Sequence, residues 1–590
     1  MNNTYCIFKH GINPYTESIN LFSDIFANRK ITKYKNHYIV ISGDIYNIKD
    51  IKKEFFLEAD IPEEIILELF FKVGINIPSY LRGIFSAVII SNEKIVFFRD
   101  YFSVDCIYYY IDNQQNEFII TNKISEIKRF MKLKVDTTVL PRYFVRTSIR
   151  KGDTFFENIK TLEFAQLLTL ALDDYKLTPT LYDDSLFKEI KNNQLKENII
   201  NDKAENIIWE NLKEITNYYV DYNVVNSLSG GVDSSYLQIL LKKLGFSKAY
   251  TFSEAVIGTL IQKYSIDIAK YLEIEHNIIE IKPEYILDNI KEGILTCEAP
   301  HIFEGEFLQN YMWKNIRAKE GKKTLVINGQ GSDGIFGYGR ALLILKYLSK
   351  PLWLALFNII NEIIIKLLNK YDYIMYKTII KKLKKRELDE ELLYVLFDKW
   401  RYDEDIENTI KKAFDLDNLH KVYSPDIGIL NKFEINFVEK LFRWRIDHEF
   451  DRAVRITHEN CKNYELSICF PYVNKKLLLY ACSIPLAKKV KRFKFKIIMK
   501  KILSRYLPSK YVYRKKLTQT TKPHGWWLYF FNDEKISKII KDIKNTKYDY
   551  FNFDYEVIFS DIKYYFLANK LINFYIWHKI FIQNVDIKDI

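Results

Sequence analysis

Cysteine is scarce in this chain, and its placement excludes more than its number does. Cys6, Cys106, Cys297, Cys461, Cys469 and Cys482 form no CxxC pair and no metal-ligand spacing. Neither a zinc site nor a disulfide framework is expected, and a reducing cytoplasm is the simplest compartment. No apolar run reaches the length of a membrane span. The closest approach, Pro351 to Leu368, is interrupted by Asn358, Asn361 and Glu362. It reads as a buried helix, with contact to a membrane surface or a partner at 340–368 as the other reading. The opening Met-Asn-Asn-Thr-Tyr-Cys has no charged or apolar signal region, so no signal peptide is expected. No internal repeat or low-complexity tract stands out. A strong charge bias is also missing: 88 basic against 75 acidic residues leave +13 over 590 residues. That is too modest to argue for a nucleic-acid partner. The Walker pattern GxxxxGK[ST] is absent as well.

What is present begins at residues 227–235, Ser-Leu-Ser-Gly-Gly-Val-Asp-Ser-Ser. An apolar pair, Val224-Val225, precedes this stretch, and an amphipathic run from Tyr236 to Leu244 follows it and stops at Gly245. The order is strand, tight loop, helix. A glycine loop opening a helix offers free backbone N–H groups to an anion. Asp233 would repel a phosphate unless a metal stands between them, and phosphate with Mg²⁺ resolves that conflict.

A second loop, Gly329-Gln-Gly-Ser-Asp-Gly334, follows the strand-like Thr324-Leu-Val-Ile-Asn328. Taken alone it fits GxGxxG. The dinucleotide fingerprint expects an acidic residue about 20 positions further on, after a second strand. Here Arg340–Lys350 holds no acid and reads as helix. The stronger reading pairs Asp333 with Asp233 as two carboxylates at neighbouring strand ends, holding Mg²⁺ against the phosphates of a nucleotide.

The chain is long enough for two or three domains, and 48% of its residues are hydrophobic. The first part reads as β-rich, with strands at His37–Ser42, Ile84–Ile90, Ile95–Phe98, Cys106–Ile111 and Glu117–Thr121. Residues 150–185 read as a connecting segment carrying the strand-like Leu167–Leu172. From about residue 200, strands at Asn223–Leu228, Tyr250–Phe252, Asn277–Ile281 and Thr324–Asn328 alternate with helices. That pattern predicts a parallel sheet with helices on both faces and a ligand beyond the C-terminal strand ends. Residues 340–590 read as mostly helical, with a charged amphipathic insertion at about 340–430.

Ser229-Gly-Gly-Val-Asp-Ser234 resembles the pyrophosphate loop of the N-type ATP pyrophosphatases, and most of the chain resembles the asparagine synthetase family. Gly43–Ile48, Leu81–Ala87 and Arg99–Tyr109 resemble strands of the class II glutamine amidotransferase domain, and Thr154–Leu162 the linker after it. Phe470-Pro-Tyr-Val-Asn474 with Leu477–Pro485, and Lys496–Pro508 with Arg514-Lys-Lys-Leu517, resemble late segments of the synthetase domain. The resemblance implies an α/β and α+β chain. A degenerate, Ntn-like β-rich sandwich over 1–185 would be followed by an α/β PP-loop ATP pyrophosphatase domain with a helical C-terminal part over 186–590. It implies ATP and Mg²⁺ as cofactors. Ser227, Leu228, Ser229, Gly230, Gly231, Asp233, Ser234, Ser235, Gly329 and Gly331 would line the nucleotide, and Asp233 and Asp333 would hold the metal. Lys516 would be the catalytic lysine, with Gln330 at the reacting centre. The basic cluster Lys488 to Lys501 reads as a solvated helix face. Glu298 and His301 fall in a loop expected near the nucleotide, with no role assigned.

Departures from the family pattern narrow the chemistry. Glutamine-using members need a cysteine directly after the initiator methionine, and residue 2 here is Asn2. Cys6 lies too deep in the expected first strand to present an α-amine. The amine is therefore expected from ammonia or from the substrate itself, as in the β-lactam synthetases and the lasso-peptide macrolactam cyclases. Gln330 stands where asparagine synthetases carry a glutamate, and it cannot act as a base. The expected reaction is adenylation of a carboxylate followed by amide formation, with lasso-type macrolactam closure of a ribosomal peptide the leading case. A peptide or small carboxylate substrate and a leader peptidase or precursor-recognition partner are implied. Ammonia-dependent amidation of aspartate or another small carboxylate, and a non-catalytic ATP-binding scaffold, are the alternatives.

Overall fold

The computed structural model describes residues 6–9, 31–146, 152–188, 197–254, 260–300, 304–337, 389–397, 403–435, 439–444, 450–490, 495–514 and 533–590, with a few isolated positions between them. The strand-period pattern near the N-terminus folds into two antiparallel sheets. One has the order β1 (Cys6–Lys9), β7 (Glu117–Thr121), β6 (Tyr108–Asp112), β8 (Lys160–Thr161). The other runs β10 (Leu177–Leu181), β9 (Gln166–Ala171), β5 (Lys94–Arg99), β4 (Gly83–Ile90), β3 (His37–Ile45), β2 (Thr32–Tyr34). Alternation along β4 decides what packs where. Val88 and Ile90 join Ile7, Phe97, Phe118 and Ile120 between the sheets. Ala87 and Ile89 point the other way, onto Ile65, Ile66 and Leu69 of the helix Pro62–Val73.

The third sheet is entirely parallel, in the order β13 (Glu275–Ile281), β12 (Lys248–Glu254), β11 (Asn223–Ser227), β14 (Thr324–Ile327), β15 (Ser467–Cys469). The chain steps outward from β11 to β12 and β13, then returns to place β14 on the opposite side of β11. The point between β11 and β14 is thus where the winding direction reverses, and crevices form there at the C-terminal strand ends. Both glycine loops leave the sheet at that point.

The expected strands all form, with ends shifted by at most three residues. β2, β8, β10 and β15 are additions that the sequence alone did not predict. Residues 340–380 lie outside the described residues, as do Arg340–Lys350 and the Pro351 to Leu368 stretch within them. Among the described residues, no helix is long and apolar enough to cross a membrane.

Candidate active site

The first loop is shaped by buried contacts behind it. Asn226 is fully buried at the end of β11 and donates to Ser234 O (3.1 Å) and to Gln238 Oε1 (2.9 Å), pulling the start of the helix Val232–Lys243 onto the strand. Gly230 has φ +67°, and a Cβ there would lie 2.4 Å from the Tyr264 carbonyl carbon, so no side chain fits. Ser229 N–H donates to Ser234 Oγ (3.2 Å), the two hydroxyls are 3.0 Å apart, and Gly231 N–H donates to Ser229 Oγ (3.3 Å). Ser229 and Gly231 are exposed at the helix start, where backbone N–H groups and the helix dipole favour an anion. Ser227 ends β11. Leu228 stands behind the loop, because its N–H goes to Tyr250 O (2.8 Å) and its carbonyl accepts the Thr251 hydroxyl. Ser235 lies deeper than Ser234 in the first turn of the helix. It is buried, and its N–H closes the first helical turn on Gly231 O (3.1 Å).

The second loop sits beside the first. Gly331, at φ +89°, is packed against Val473 and the Phe450 ring, where a Cβ would come within 2.9 and 3.0 Å. The Gly329 Cα faces the N–H of Ser234. Asp233 and Asp333, each in the first turn of its helix, converge from the two loops on one cation, the Lys496 ammonium, which bonds to both carboxylates. Ser332 Oγ donates to the other oxygen of Asp233 (2.6 Å), and Tyr472 OH donates to the Asp233 carbonyl (3.0 Å).

Lys496 overturns the reading of 488–501 as a solvated face. It is 4% exposed and has φ +53°, a conformation that costs an L-residue roughly 1–2 kcal/mol. Burial opposes its charge, but the carboxylates of Asp233 and Asp333 outweigh burial and hold the ammonium above its ordinary range. Lys489 is also fully buried, with its ammonium 3.8 Å from the Phe442 ring centroid. Arg514 is a further residue that the sequence reading missed. It donates to Gly230 O and to Tyr264 O (3.3 Å) and lies 3.8 Å over the Tyr264 ring, clamping the first loop from outside. Lys516 lies outside the described residues, as does His301.

Gln330 N–H donates to Asn328 Oδ1 (2.9 Å), and its side-chain oxygen accepts the Thr457 hydroxyl (3.1 Å). With the side-chain oxygen engaged, what Gln330 has to offer a ligand is its amide N–H₂, a donor.

Thr457 belongs to the helix Ile456–Asn463, which joins this site to the first domain. Lys462 Nζ donates to Asp105 Oδ1 (2.7 Å), and Lys123 Nζ reaches Glu459 Oε2 (3.4 Å) and Thr296 O (2.8 Å). Burial pushes the Glu459 carboxyl up, and Lys123 and Lys462 together hold it well below its usual range. Glu298 belongs to this seam: its carboxylate accepts the N–H groups of Ile124 (2.6 Å) and Ser125 (2.8 Å) in the first domain. Cys6 lies in β1 opposite Thr121, buried, with burial pushing its thiol up to about 12. Cys461 and Cys469 are core residues, as expected.

A family model described as asparagine synthase matches residues 220–555, which contain both loops, Gln330 and Lys496. The chain belongs to the asparagine synthase family. A second model, described as a glutamine amidotransferase domain, matches residues 28–182 in front of the asparagine synthase domain. Asparagine synthetase [glutamine-hydrolyzing] 1 of Bacillus subtilis is 23% identical over 544 residues, covering 87% of this chain and 80% of that protein. A putative asparagine synthetase [glutamine-hydrolyzing] 2 of Methanocaldococcus jannaschii is 26% identical over 311 residues, covering 51% of this chain and 58% of that protein. Among solved structures, an NH3-dependent NAD synthetase from Campylobacter jejuni overlaps 37% of this chain and 92% of its own, at 20% identity and a TM-score of 0.18.

Proposed function

We propose that this chain joins a carboxylate to an amine through an acyl-adenylate made from ATP. The observation that carries this reading is the meeting of Asp233 and Asp333 on one cation, beside a glycine loop at the mouth of a parallel sheet. Two hard carboxylate oxygens already shaped around a cation suit Mg²⁺, which Asp233 and Asp333 would hold. When bound, Mg²⁺ supplies charge neutralisation on the polyphosphate. The open first turn of the helix Val232–Lys243, with the Ser229 and Ser234 hydroxyls beside it, takes the pyrophosphate end of the nucleotide. The substrate carboxylate attacks the α-phosphorus, pyrophosphate leaves, and an amine displaces AMP to form the amide. Gln330, held by Thr457, donates to the carbonyl oxygen of the acyl group and takes no proton. Lys516 is the lysine assigned to the charge that develops on that group.

The first domain supplies no thiol nucleophile at Cys6, which is buried inside a strand. The amine therefore comes from ammonia or from the substrate. A glutamine where the reacting centre would otherwise carry an acid favours an acyl substrate larger than aspartate. The favoured pair is an Asp or Glu side chain and the α-amine of one ribosomal peptide, closing a macrolactam after a leader protease frees that amine. The free, buried cysteines fit a reducing cytoplasm. The relatives named asparagine synthetase keep a second reading in place, ammonia-dependent amidation of aspartate or another small carboxylate.

Exchange of labelled pyrophosphate into ATP tests the chemistry. Exchange should require an acyl substrate and be absent in Asp233→Ala; equal exchange in both proteins would sink the proposal. Mass spectrometry then separates the readings. A linear peptide losing one water without gaining nitrogen is macrolactam closure, while asparagine formed from aspartate and ammonium is the second reading.

A further inference from the structure

Lys496 is an unusual neighbour for two carboxylates assigned to a metal. It is nearly inaccessible, its backbone is left-handed, and its ammonium bonds to both Asp233 and Asp333. The backbone is anchored, with Lys496 N–H on Gly337 O (3.3 Å) and the helix Ile497–Leu503 starting at the next residue. Any re-aiming of the ammonium would therefore come from the side-chain torsions. The Asp233 carboxylate also accepts from Ser332, and its backbone carbonyl accepts from Tyr472, so this carboxylate does not depend on the lysine alone for its direction.

We propose that Lys496 is a tethered counter-cation which holds the metal position between the two aspartates until nucleotide arrives, so that the divalent cation enters with ATP and not before it. This rests on the reading of Asp233 and Asp333 as metal ligands. The argument is one of charge. Two carboxylates and one ammonium sum to −1. A divalent cation in place of the ammonium brings the carboxylates to neutrality, but it takes both of these carboxylates away from a buried ammonium. Losing such partners is strongly unfavourable for a buried charge. The exchange becomes favourable when a new anion stands within reach of a side chain that pivots on a fixed backbone, and the ATP phosphates are that anion. Lys496 would then pass from the carboxylates to the phosphates as the metal takes its place. Metal and nucleotide affinities are thereby coupled through one residue, and linkage makes the coupling reciprocal.

Mn²⁺ is the probe, followed by electron paramagnetic resonance of the free ion, with no nucleotide present. The wild-type chain should leave Mn²⁺ essentially free, while Lys496→Met should bind it at least tenfold more tightly. Lys496→Arg, which keeps a cation in place, should behave as wild type. Asp333→Asn combined with Lys496→Met should lose the gained site. Should the methionine variant fail to fold, Lys496→Gln keeps a hydrogen-bonding head between the carboxylates and carries the same expectation. Equal Mn²⁺ binding by wild type and the neutral variants overturns the counter-cation. Failure of the wild-type chain to bind ATP with Mn²⁺ at all overturns instead the reading of the two loops as a nucleotide site.

Discussion

Replacing Gly230 by alanine isolates the contribution of the first loop. The residue sits at φ +67°, and a Cβ would fall 2.4 Å from Tyr264 C and 2.6 Å from Ser265 N. Both atoms are backbone, so no flexible side chain can swing aside. The left-handed conformation costs roughly 1–2 kcal/mol for an L-residue, and overpacking of this kind adds about 1–3 kcal/mol. The sum, about 2–5 kcal/mol, must appear in one of two places. If the loop keeps its shape, folding stability falls by that amount. If the loop moves to relieve the overlap, its N–H groups no longer converge. ATP affinity then falls by roughly 30- to 4,000-fold, at about 1.4 kcal/mol per tenfold. Gly245 is the internal control. It terminates the same helix at φ +91°, but nothing lies within 4 Å of its would-be Cβ, so Gly245→Ala bears the conformational cost without the clash. Calorimetric titration with ATP and Mg²⁺, paired with thermal unfolding, reads both quantities. If Gly230→Ala matches Gly245→Ala in affinity and in stability, the loop is not built as described and the phosphate assignment falls with it.

Three further outcomes follow from buried groups. His578 lies in the helix Tyr565–Phe581 against Tyr548, and burial together with Lys579 lowers its pKa from 6.5 to about 4. The unfolded chain therefore binds the proton between those values; stability is full above about pH 6.5 and falls by roughly 3 kcal/mol as the pH drops through about 4, and His578→Phe should remove that slope in urea titrations. Cys6, with its thiol pushed up to about 12 by burial, should resist iodoacetamide at pH 8 in the folded chain, and glutamine should yield no glutamate above a protein-free blank. Asp105 is fully buried beneath Lys462 and also accepts the Ser86 hydroxyl (2.8 Å), so Asp105→Ala should cost about 3–5 kcal/mol in denaturant unfolding and speed limited proteolysis between the domains.

The parts legible in the sequence were those whose signal is local. Continuous apolar runs within His37–Ile45 and Gly83–Ile90 mark strands buried on both faces, and the glycine pairs mark loops where Gly230 and Gly331 leave no room for a side chain. The missed strands lack such a signal. β15 is three residues long, and β10 carries Pro179, which a sheet accepts on an edge strand, and β10 is an edge. The site shows the same division. Asp233 and Asp333 come from neighbouring strand ends and could be paired from spacing. Lys496, Thr457, Tyr472 and Arg514 reach the loops from more than a hundred residues away, through tertiary packing. Nothing in a lysine-rich run marks which member turns inward; Lys496 does so because its left-handed backbone aims it at two carboxylates that the run does not contain.

The helix around residues 450–463 gives the first domain a role that does not depend on glutamine. Its opening turn, Phe450–Arg455, is π-helical, a local widening that often re-aims side chains near a site. Phe450 packs on Gly331 at one edge and lies 4.8 Å from the Phe102 ring of the first domain, so an aromatic contact backs the second loop from across the domain boundary. One turn later Thr457 orients Gln330, and one and a half turns beyond that Lys462 is held by Asp105. Each end of this short helix is thus fixed by the first domain, and the residues between touch the second loop at two points. Removing the first domain would expose Phe450 and take Asp105 from Lys462, Lys123 from Glu459 and the Ile124 and Ser125 N–H groups from Glu298. A chain with no thiol nucleophile at Cys6 therefore still needs both sheets of its first domain, because the back wall of its own second loop is built on them.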